Sequence, residues 1–335
     1  MIGMITCWFL LGTAAALNTT EEFRAFKERF GRTYSSDEEA RRYEIFAESL
    51  ARVEARNAQE GNAIFGVTKF SDLDEEEKKA YRNYARRNDS SVRTTSVLSA
   101  FASDAPDAFD WRDSKIITRV KNQKQCGGCW AFSSTMAVES AWANAGNELT
   151  EFSVQQMLSC DDGEGDSGCV GGDPTYGYRF VKTNGGLASQ SAYPFDDKQV
   201  DDTDKCKEVA VKGGFVDGFD YATRPCTSGY CTRQDEDTLL KNLVENGAPS
   251  ICLDASAFDD YVKGIMTEAS CSSAAAKQDH CMQLVGYDKS GDVPYWIVRN
   301  TWDSDWGIQG YVYLKMGDNT CGLANEASIP RASKA

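Results

Sequence analysis

A chain of 335 residues, 41% of them hydrophobic, is long enough to bury a substantial core in one to three domains. Its formal net charge of -15, with no long basic run, excludes partners held by clustered Lys and Arg, so neither nucleic acid nor an anionic membrane surface is expected.

The N-terminus reads as an address. Residues 2–11 are mostly apolar, and Gly12-Thr13-Ala14-Ala15-Ala16 follows with the small side chains of a signal-peptidase site, which places cleavage after Ala16. The apolar run falls short of the roughly 20 residues a bilayer needs, and no later segment is predicted to span one. Asn18-Thr19-Thr20 and Asn88-Asp89-Ser90 are glycosylation sequons, in keeping with a secretory route that ends in a lysosome or food vacuole or outside the cell.

Residues 17–104 are predicted to be charged and largely helical. Thr19 and Glu22 form a capping box that starts a helix through Phe23, Phe26 and Phe30, with Gly31 beyond its end. A second helix is predicted over 37–57, where Arg42, Phe46, Ser49, Val53 and Asn57 recur at spacings of three and four and share one face. Phe65, Val67 and Phe70-Ser71-Asp72 predict a short strand and a turn. Residues 86–103, rich in Ser and Thr and weakly patterned, read as an exposed linker suited to proteolytic cutting.

Of the 12 cysteines, Cys7 would leave with the signal segment, and all the others lie between Cys126 and Cys321. In an oxidising compartment an even set tends to pair, so an odd remainder implies one thiol held free.

The chemistry begins at Asn122-Gln123-Lys124-Gln125-Cys126-Gly127-Gly128-Cys129-Trp130. The glycine pair allows a tight turn, and Phe132, Met136, Ala137 and Ala141 continue as a helix ending near Gly146, which sets Cys129 at a helix N-terminus. The partial positive charge there favours thiolate and lowers the thiol pKa. The same C-x-x-C spacing is open to two other readings, a zinc half-site and a redox pair, but the chain has neither a second half-site nor βαβ surroundings.

The chain holds one histidine, His280. A thiol hydrolase needs a group that takes the thiol proton and later donates one to the leaving amine, so His280 has no competitor for that role. It precedes a strand-like run over 282–287. A second alternating run, Tyr295-Trp296-Ile297-Val298-Arg299, delivers Asn300 at its end, where an amide oxygen can accept the imidazole N–H and select its tautomer. Trp302 is placed to cover that bond. A Cys followed about 150 residues later by His, and then by Asn, is the order found in papain-type enzymes.

Four stretches together resemble the papain family, and within it the cathepsin L- and F-like members: the Cys129 block, Asp279-His280, the run from Tyr295 through Asn300-Thr301-Trp302 to Trp306-Gly307, and the N-terminal segment. In that last segment Glu38, Arg42, Phe46, Ser49, Val53 and Asn57 match the family's interrupted propeptide helix motif, with Ser and Val in place of the usual Asn and Ile. Gly66, Thr68, Phe70 and Asp72 resemble the family's second, shorter propeptide motif. The resemblance implies an α+β, papain-like fold of two lobes, a helical one followed by a β-barrel-like one, with the active site in the cleft between. It divides the chain into signal peptide 1–16, helical inhibitory propeptide 17–104 and peptidase domain 105–335.

It further implies a cysteine endopeptidase that needs no cofactor or metal. Cys129 would be the nucleophile, His280 its partner and general acid, Asn300 the orienting group, and Gln123 with the Cys129 N–H the oxyanion hole. Gly171 and Gly172 would pair with an extended substrate, and Trp302 and Trp306 would line the site. Asp173, Pro174 and Glu326 fall at the pocket for the second residue before the cleaved bond, where two carboxylates can attract Arg or Lys beside apolar side chains. Implied disulfides are Cys126 with Cys169, Cys160 with Cys206, and Cys271 with Cys321; to these are added Cys226 with Cys231, which bracket a short loop, and Cys252 with Cys281 on neighbouring strands. The implied partners are polypeptide substrates, the chain's own propeptide and cystatin-type inhibitors, the enzyme acting as a monomer. With His280 alone, the paired-histidine loop of dipeptide-removing members is missing. Asp303 departs from the family's usual Gly, and a positive φ there would strain the loop or shift Trp302.

Overall fold

The computed structural model describes residues 7–85, 96–99, 105–161, 167–197, 206–226, 231 and 234–335, with side chains from residue 18 onward. The sequon at Asn88 and most of the linker predicted over 86–103 lie outside the described residues. In chain order the elements are α1 (Cys7–Phe30), α2 (Ser36–Gln59), β1 (Ala63–Phe65), α3 (Glu75–Lys79), β2 (Ala108–Asp110), α4 (Cys129–Asn144), α5 (Val154–Cys160), α6 (Pro174–Asn184), β3 (Val216–Tyr221), α7 (Glu236–Asn246), β4 (Ser250–Leu253), β5 (Tyr261–Met266), β6 (His280–Asp288), β7 (Tyr295–Arg299), β8 (Tyr311–Lys315) and β9 (Ala327–Ala332). No described helix is long and apolar enough to cross a membrane.

The N-terminal segment packs on its own aromatic core. Phe23 and Phe26 of α1 meet Phe46 of α2, with ring centroids 5.3 and 5.0 Å apart. Helix α1 does not start at the capping box expected at Thr19. It runs through it from Cys7, because the leucines and alanines of residues 10–17 are strong helix formers and carry the helix past Thr19. The polar positions of the α2 stripe anchor the next two elements of the chain. Asn57 exchanges two hydrogen bonds of 2.9 Å with the backbone of Phe65 and so holds β1, while Arg42 grips both carboxylate oxygens of Glu77 at 2.6 Å and ties α2 to α3.

Helix α4 is buried over most of its length, its Ser133, Ser134, Thr135, Glu139 and Ser140 side chains included. Trp130, Phe132, Val138 and Trp142 form a core with Phe152, Met157, Tyr178 and Phe219. The second core lies in the sheet, where Leu253, Leu284, Trp296, Val298, Val312 and Leu314 pack together and also accept Phe65, Phe70 and Leu73 of the N-terminal segment. Strand order is β1-β5-β8-β7-β6-β4-β9-β3, an open path, with β2 paired to β6. All ladders are antiparallel except β5 with β8. The N-terminal segment thus extends the sheet, since β1 adds to its edge along β5.

Part of the predicted linker is not free. Val97 bridges Tyr221 in parallel, the Leu98 N–H donates to Tyr221 O at 3.0 Å, and Asn242 Nδ2 donates to Leu98 O. The composition of 86–103 suggested exposure, but Leu98 is apolar enough to pack against the sheet core.

Five disulfides join Cys126 to Cys169, Cys160 to Cys206, Cys226 to Cys231, Cys252 to Cys281 and Cys271 to Cys321. The first removes the redox-pair reading of C-x-x-C, since Cys126 bonds Cys169 rather than Cys129. Cys129 is the free cysteine among the residues whose side chains are described.

Candidate active site

The turn before α4 needs two glycines. A Cβ on Gly127 would lie 2.2 Å from Cys169 O, and one on Gly128 would lie 2.7 Å from Leu158 Cδ2. The turn therefore sets Cys129 at the first position of α4, fully buried. The Cys281 amide, one residue beyond His280, reaches the Cys129 sulfur, as do the amides of Asn83 and Trp130.

His280 opens β6 and is fully buried. Its Nε2 lies 2.8 Å from Asn300 Oδ1, which also accepts the Thr301 N–H at 2.7 Å. An amide oxygen can only accept, so Nε2 carries the proton and Nδ1 is the basic nitrogen. Nδ1 has no hydrogen-bond partner among the described residues. The Trp302 ring stacks on the imidazole at 4.9 Å, and Trp306 meets Trp302 edge-on at 5.2 Å. A dry, aromatic lid thus covers the His280–Asn300 bond.

Asp303 has φ +68°, the left-handed conformation foreseen as a source of strain. Its side chain offsets that cost locally. Oδ2 accepts from Asn122 Nδ2 at 3.0 Å and Oδ1 from the Ser304 N–H at 2.7 Å, while its own N–H donates to Lys121 O. Trp302 stays over the imidazole.

Gln123 is held by its neighbours: its N–H donates to Thr301 O at 2.8 Å, and its Oε1 accepts the Thr301 hydroxyl. The Nε2 group donates to Cys126 O at 2.7 Å and to Tyr81 O at 3.1 Å. A carbonyl of the N-terminal segment therefore occupies the donor that would face an oxyanion.

Residues 69–85 of that segment run through the cleft. Phe70 packs edge-on against Trp302 at 4.8 Å, and Lys69 pairs with Asp305 at 2.7 Å. Asn83 Nδ2 donates to Val170 O, and the Asn83 backbone passes so close to Gly171, at φ +124°, that a Cβ there would lie 2.6 Å from its carbonyl. The Tyr84 N–H donates to Asp279 O at 2.9 Å and the Ala85 N–H to Gly172 O at 3.1 Å, giving a parallel bridge between Tyr84 and Gly172. The Tyr84 ring lies with Cys129, Cys252 and Cys281, and its hydroxyl lies between Asp173 and Glu326. Pro174 sits at the start of α6, where its missing N–H is not needed.

Charges reinforce the docking. Arg82, buried, lies 3.3 Å from Asp259 and 3.4 Å from Asp279, and Arg52 and Arg56 converge on the buried Asp260 at 2.8 and 3.0 Å. Apart from Asp279, which stands beside His280 in the family-like stretch, these groups, like Tyr81 and Tyr84, escaped the sequence reading. Arg52 and Arg56, one turn apart beside the apolar stripe of α2, were the available signal for the first pair; nothing local marks the tyrosines.

Cover decides the electrostatics. Burial pushes the Cys129 thiol up to about 11, against the pull of the three amides. This reverses the direction expected from the helix end, because no water reaches the sulfur to support a thiolate. Burial likewise lowers His280 to about 4, with the Asn300 bond opposing and Arg82 adding to the effect. Covered, the pair is a neutral thiol and a neutral imidazole.

Comparison with known proteins agrees with this architecture. The family described as "Papain family cysteine protease" matches residues 105–331. The chain belongs to the papain family. The family described as "Cathepsin propeptide inhibitor domain (I29)" matches residues 23–77, so this papain-family chain carries its inhibitor and is made as a zymogen. It is 37% identical over 313 residues to "Cysteine proteinase" of Trypanosoma brucei brucei, covering 91% of this chain and 65% of that relative's length. To "Cysteine proteinase 1" of Dictyostelium discoideum it is 32% identical over 344 residues, covering 96% and 95% of the two chains. Among solved structures it resembles a digestive procathepsin L2 proteinase from Tenebrio molitor larval midgut, with TM-score 0.76, 30% identity and coverage of 93% of this chain and 99% of that one.

Proposed function

We propose that this papain-family chain is the precursor of a cysteine endopeptidase in which Cys129 and His280 work as a thiolate–imidazolium pair. The observation that carries the reading is the tautomer: His280 donates its Nε2–H to Asn300, which leaves Nδ1 as a base, and the next residue, Cys281, clusters with the free Cys129. Once uncovered, the thiolate attacks the scissile carbonyl, Gln123 Nε2 and the Cys129 N–H hold the oxyanion, and the imidazolium protonates the leaving amine. Water then cleaves the acyl-enzyme with His280 as base. Trp302 and Trp306 exclude water around the imidazole, and Gly171 and Gly172 pair with the extended substrate.

Residues 1–16 act as a signal peptide, 17–104 as the inhibitory propeptide and 105–335 as the peptidase domain. The product enters the secretory pathway, bound for a lysosome, a food vacuole or the extracellular space, and works as a monomer open to cystatin-type inhibitors. Asp173, Pro174 and Glu326 shape the pocket for the second residue before the cleaved bond, which accepts Arg or Lys as well as apolar side chains. The buried carboxylates at its end support that reading. Peptides identical except for Leu or Arg there test it, and strict rejection of Arg ends it.

The activity is tested by activating the precursor at mildly acidic pH and following a fluorogenic dipeptide, with and without an epoxide thiol inhibitor, beside Cys129→Ala. Hydrolysis that both inhibitor and substitution abolish is expected. No hydrolysis after verified propeptide removal overturns the proposal.

A further inference from the structure

The residue that the chain itself places in the pocket beside Cys129 is a tyrosine. Tyr84 is 7% exposed, and its ring packs against Cys129 and the Cys252–Cys281 disulfide. At the far end its hydroxyl lies 3.0 Å from Glu326 Oε2 and 3.3 Å from Asp173 Oδ2. Both carboxylate residues are buried, at 4% and 2% exposure. The orientation of Asp173 is fixed by its other oxygen, since Oδ1 accepts the N–H and the hydroxyl of Thr175 at 2.9 and 2.7 Å. Oδ2 is thereby turned toward the pocket.

Resting on the endopeptidase reading above, we propose that this pocket reads a phenol: peptides with Tyr as the second residue before the cleaved bond are cut in preference to those with Phe. Tyr and Phe bury nearly the same ring in the same walls, so apolar burial does not separate them. The hydroxyl does. A phenol that covers these two side chains withdraws them from water and gives one of them a hydrogen bond in return, whereas a Phe ring covers them and offers none. Sites built around such a bond discriminate strongly against the ligand that lacks it. Tyr84 enters the pocket from a parallel bridge to Gly172, the glycine proposed to pair with an extended substrate.

The test compares kcat/KM of the activated enzyme for two peptides identical except for Tyr or Phe at that position. Tyr is expected to lead by at least about tenfold, the effect of one hydrogen bond to a charged group. Glu326→Leu should collapse the ratio toward one, the ratio rather than the rate being the readout. Independently, Tyr84→Phe in the full-length precursor keeps the ring and loses the bond. Its residual activity at neutral pH, before processing, should rise about tenfold over that of the unaltered precursor. Rates for the two peptides within about twofold, with Tyr84→Phe as latent as the parent, overturn the phenol reading and leave the endopeptidase reading standing. Cleavage of neither peptide by chain whose propeptide is verifiably gone overturns both.

Discussion

Asn300 does its work through one atom. Its Oδ1 accepts a hydrogen bond from the Nε2–H of His280, and the Thr301 amide holds that oxygen in place. Asn300→Ala frees the imidazole to take either tautomer and to rotate, so kcat should fall by about 10²-fold or more with KM little changed. Steady-state kinetics decide this, and a loss below about threefold contradicts it. Asp303 presents the opposite case, a residue whose conformation looks costly and is offset. Asp303→Gly removes a positive-φ penalty of about 1 kcal/mol but also the bonds to Asn122 and Ser304, each worth about 1 kcal/mol net. Urea denaturation should place it within about 1 kcal/mol of the parent, while Asp303→Val, which gains nothing and loses both bonds, should be destabilised by about 2–3 kcal/mol. At this scale the sequence was informative where chemistry allows few candidates: one histidine, one Asn at a strand end, one Cys after two glycines. It pointed the wrong way for the Cys129 thiol and was silent on His280, because both pKa directions depend on what covers the residues, and the cover comes from some 50 to 200 positions away in the chain.

Among the elements, α2 and α3 are joined by the Arg42–Glu77 pair, whose pH dependence has a definite sign. The Glu77 carboxyl lies below its ordinary value, first through its bonds with Arg42. A carboxylate lowered in the folded state contributes stability above its unfolded pKa and loses it as pH falls through the folded one. Acid therefore loosens α2 from α3. Asp259 and Asp279 act in the opposite sense. Burial raises them to about 6 and about 7 while the segment is docked, so covering them takes up protons and is favoured as pH falls. Any release of the segment by acid would therefore have to act inside it rather than at those two carboxylates. Glu77→Gln, which imposes the neutral side chain at every pH, should shift the onset of self-activation to higher pH, read from the pH dependence of the lag before activity appears. An unchanged onset excludes the Arg42–Glu77 pair as the trigger. The α2 stripe was legible as a helical face, but α3 was not anticipated. Its signal was nevertheless local: Asp74 followed by Glu77 three residues on, which forms a reciprocal capping box.

For the whole molecule, latency has two layers with one cause. The N-terminal segment blocks the cleft with residues 81–84, and burial holds the thiol near 11 and the imidazole near 4, so the proposed catalytic pair rests as a neutral thiol and a neutral imidazole at neutral pH. Burial is the leading cause of both shifts, so removing the cover should move the two values toward each other, the thiol falling and the imidazole rising, as the proposed ion pair requires. A thiol with a pKa near 11 is about 10⁻⁴ ionised at pH 7, and the covered sulfur is sterically closed as well. Iodoacetamide at pH 7 should therefore label Cys129 in the activated enzyme at least about 100-fold faster than in the intact precursor, with the modified peptide identified by mass. Equal rates would mean that the segment leaves the cleft at neutral pH, and latency would then have to lie elsewhere. The same labelling, done without reductant, tests the covalent frame. With ten cysteines held in five disulfides, the activated enzyme should take up one label, on Cys129, and a second label would show that one of the bridges is open.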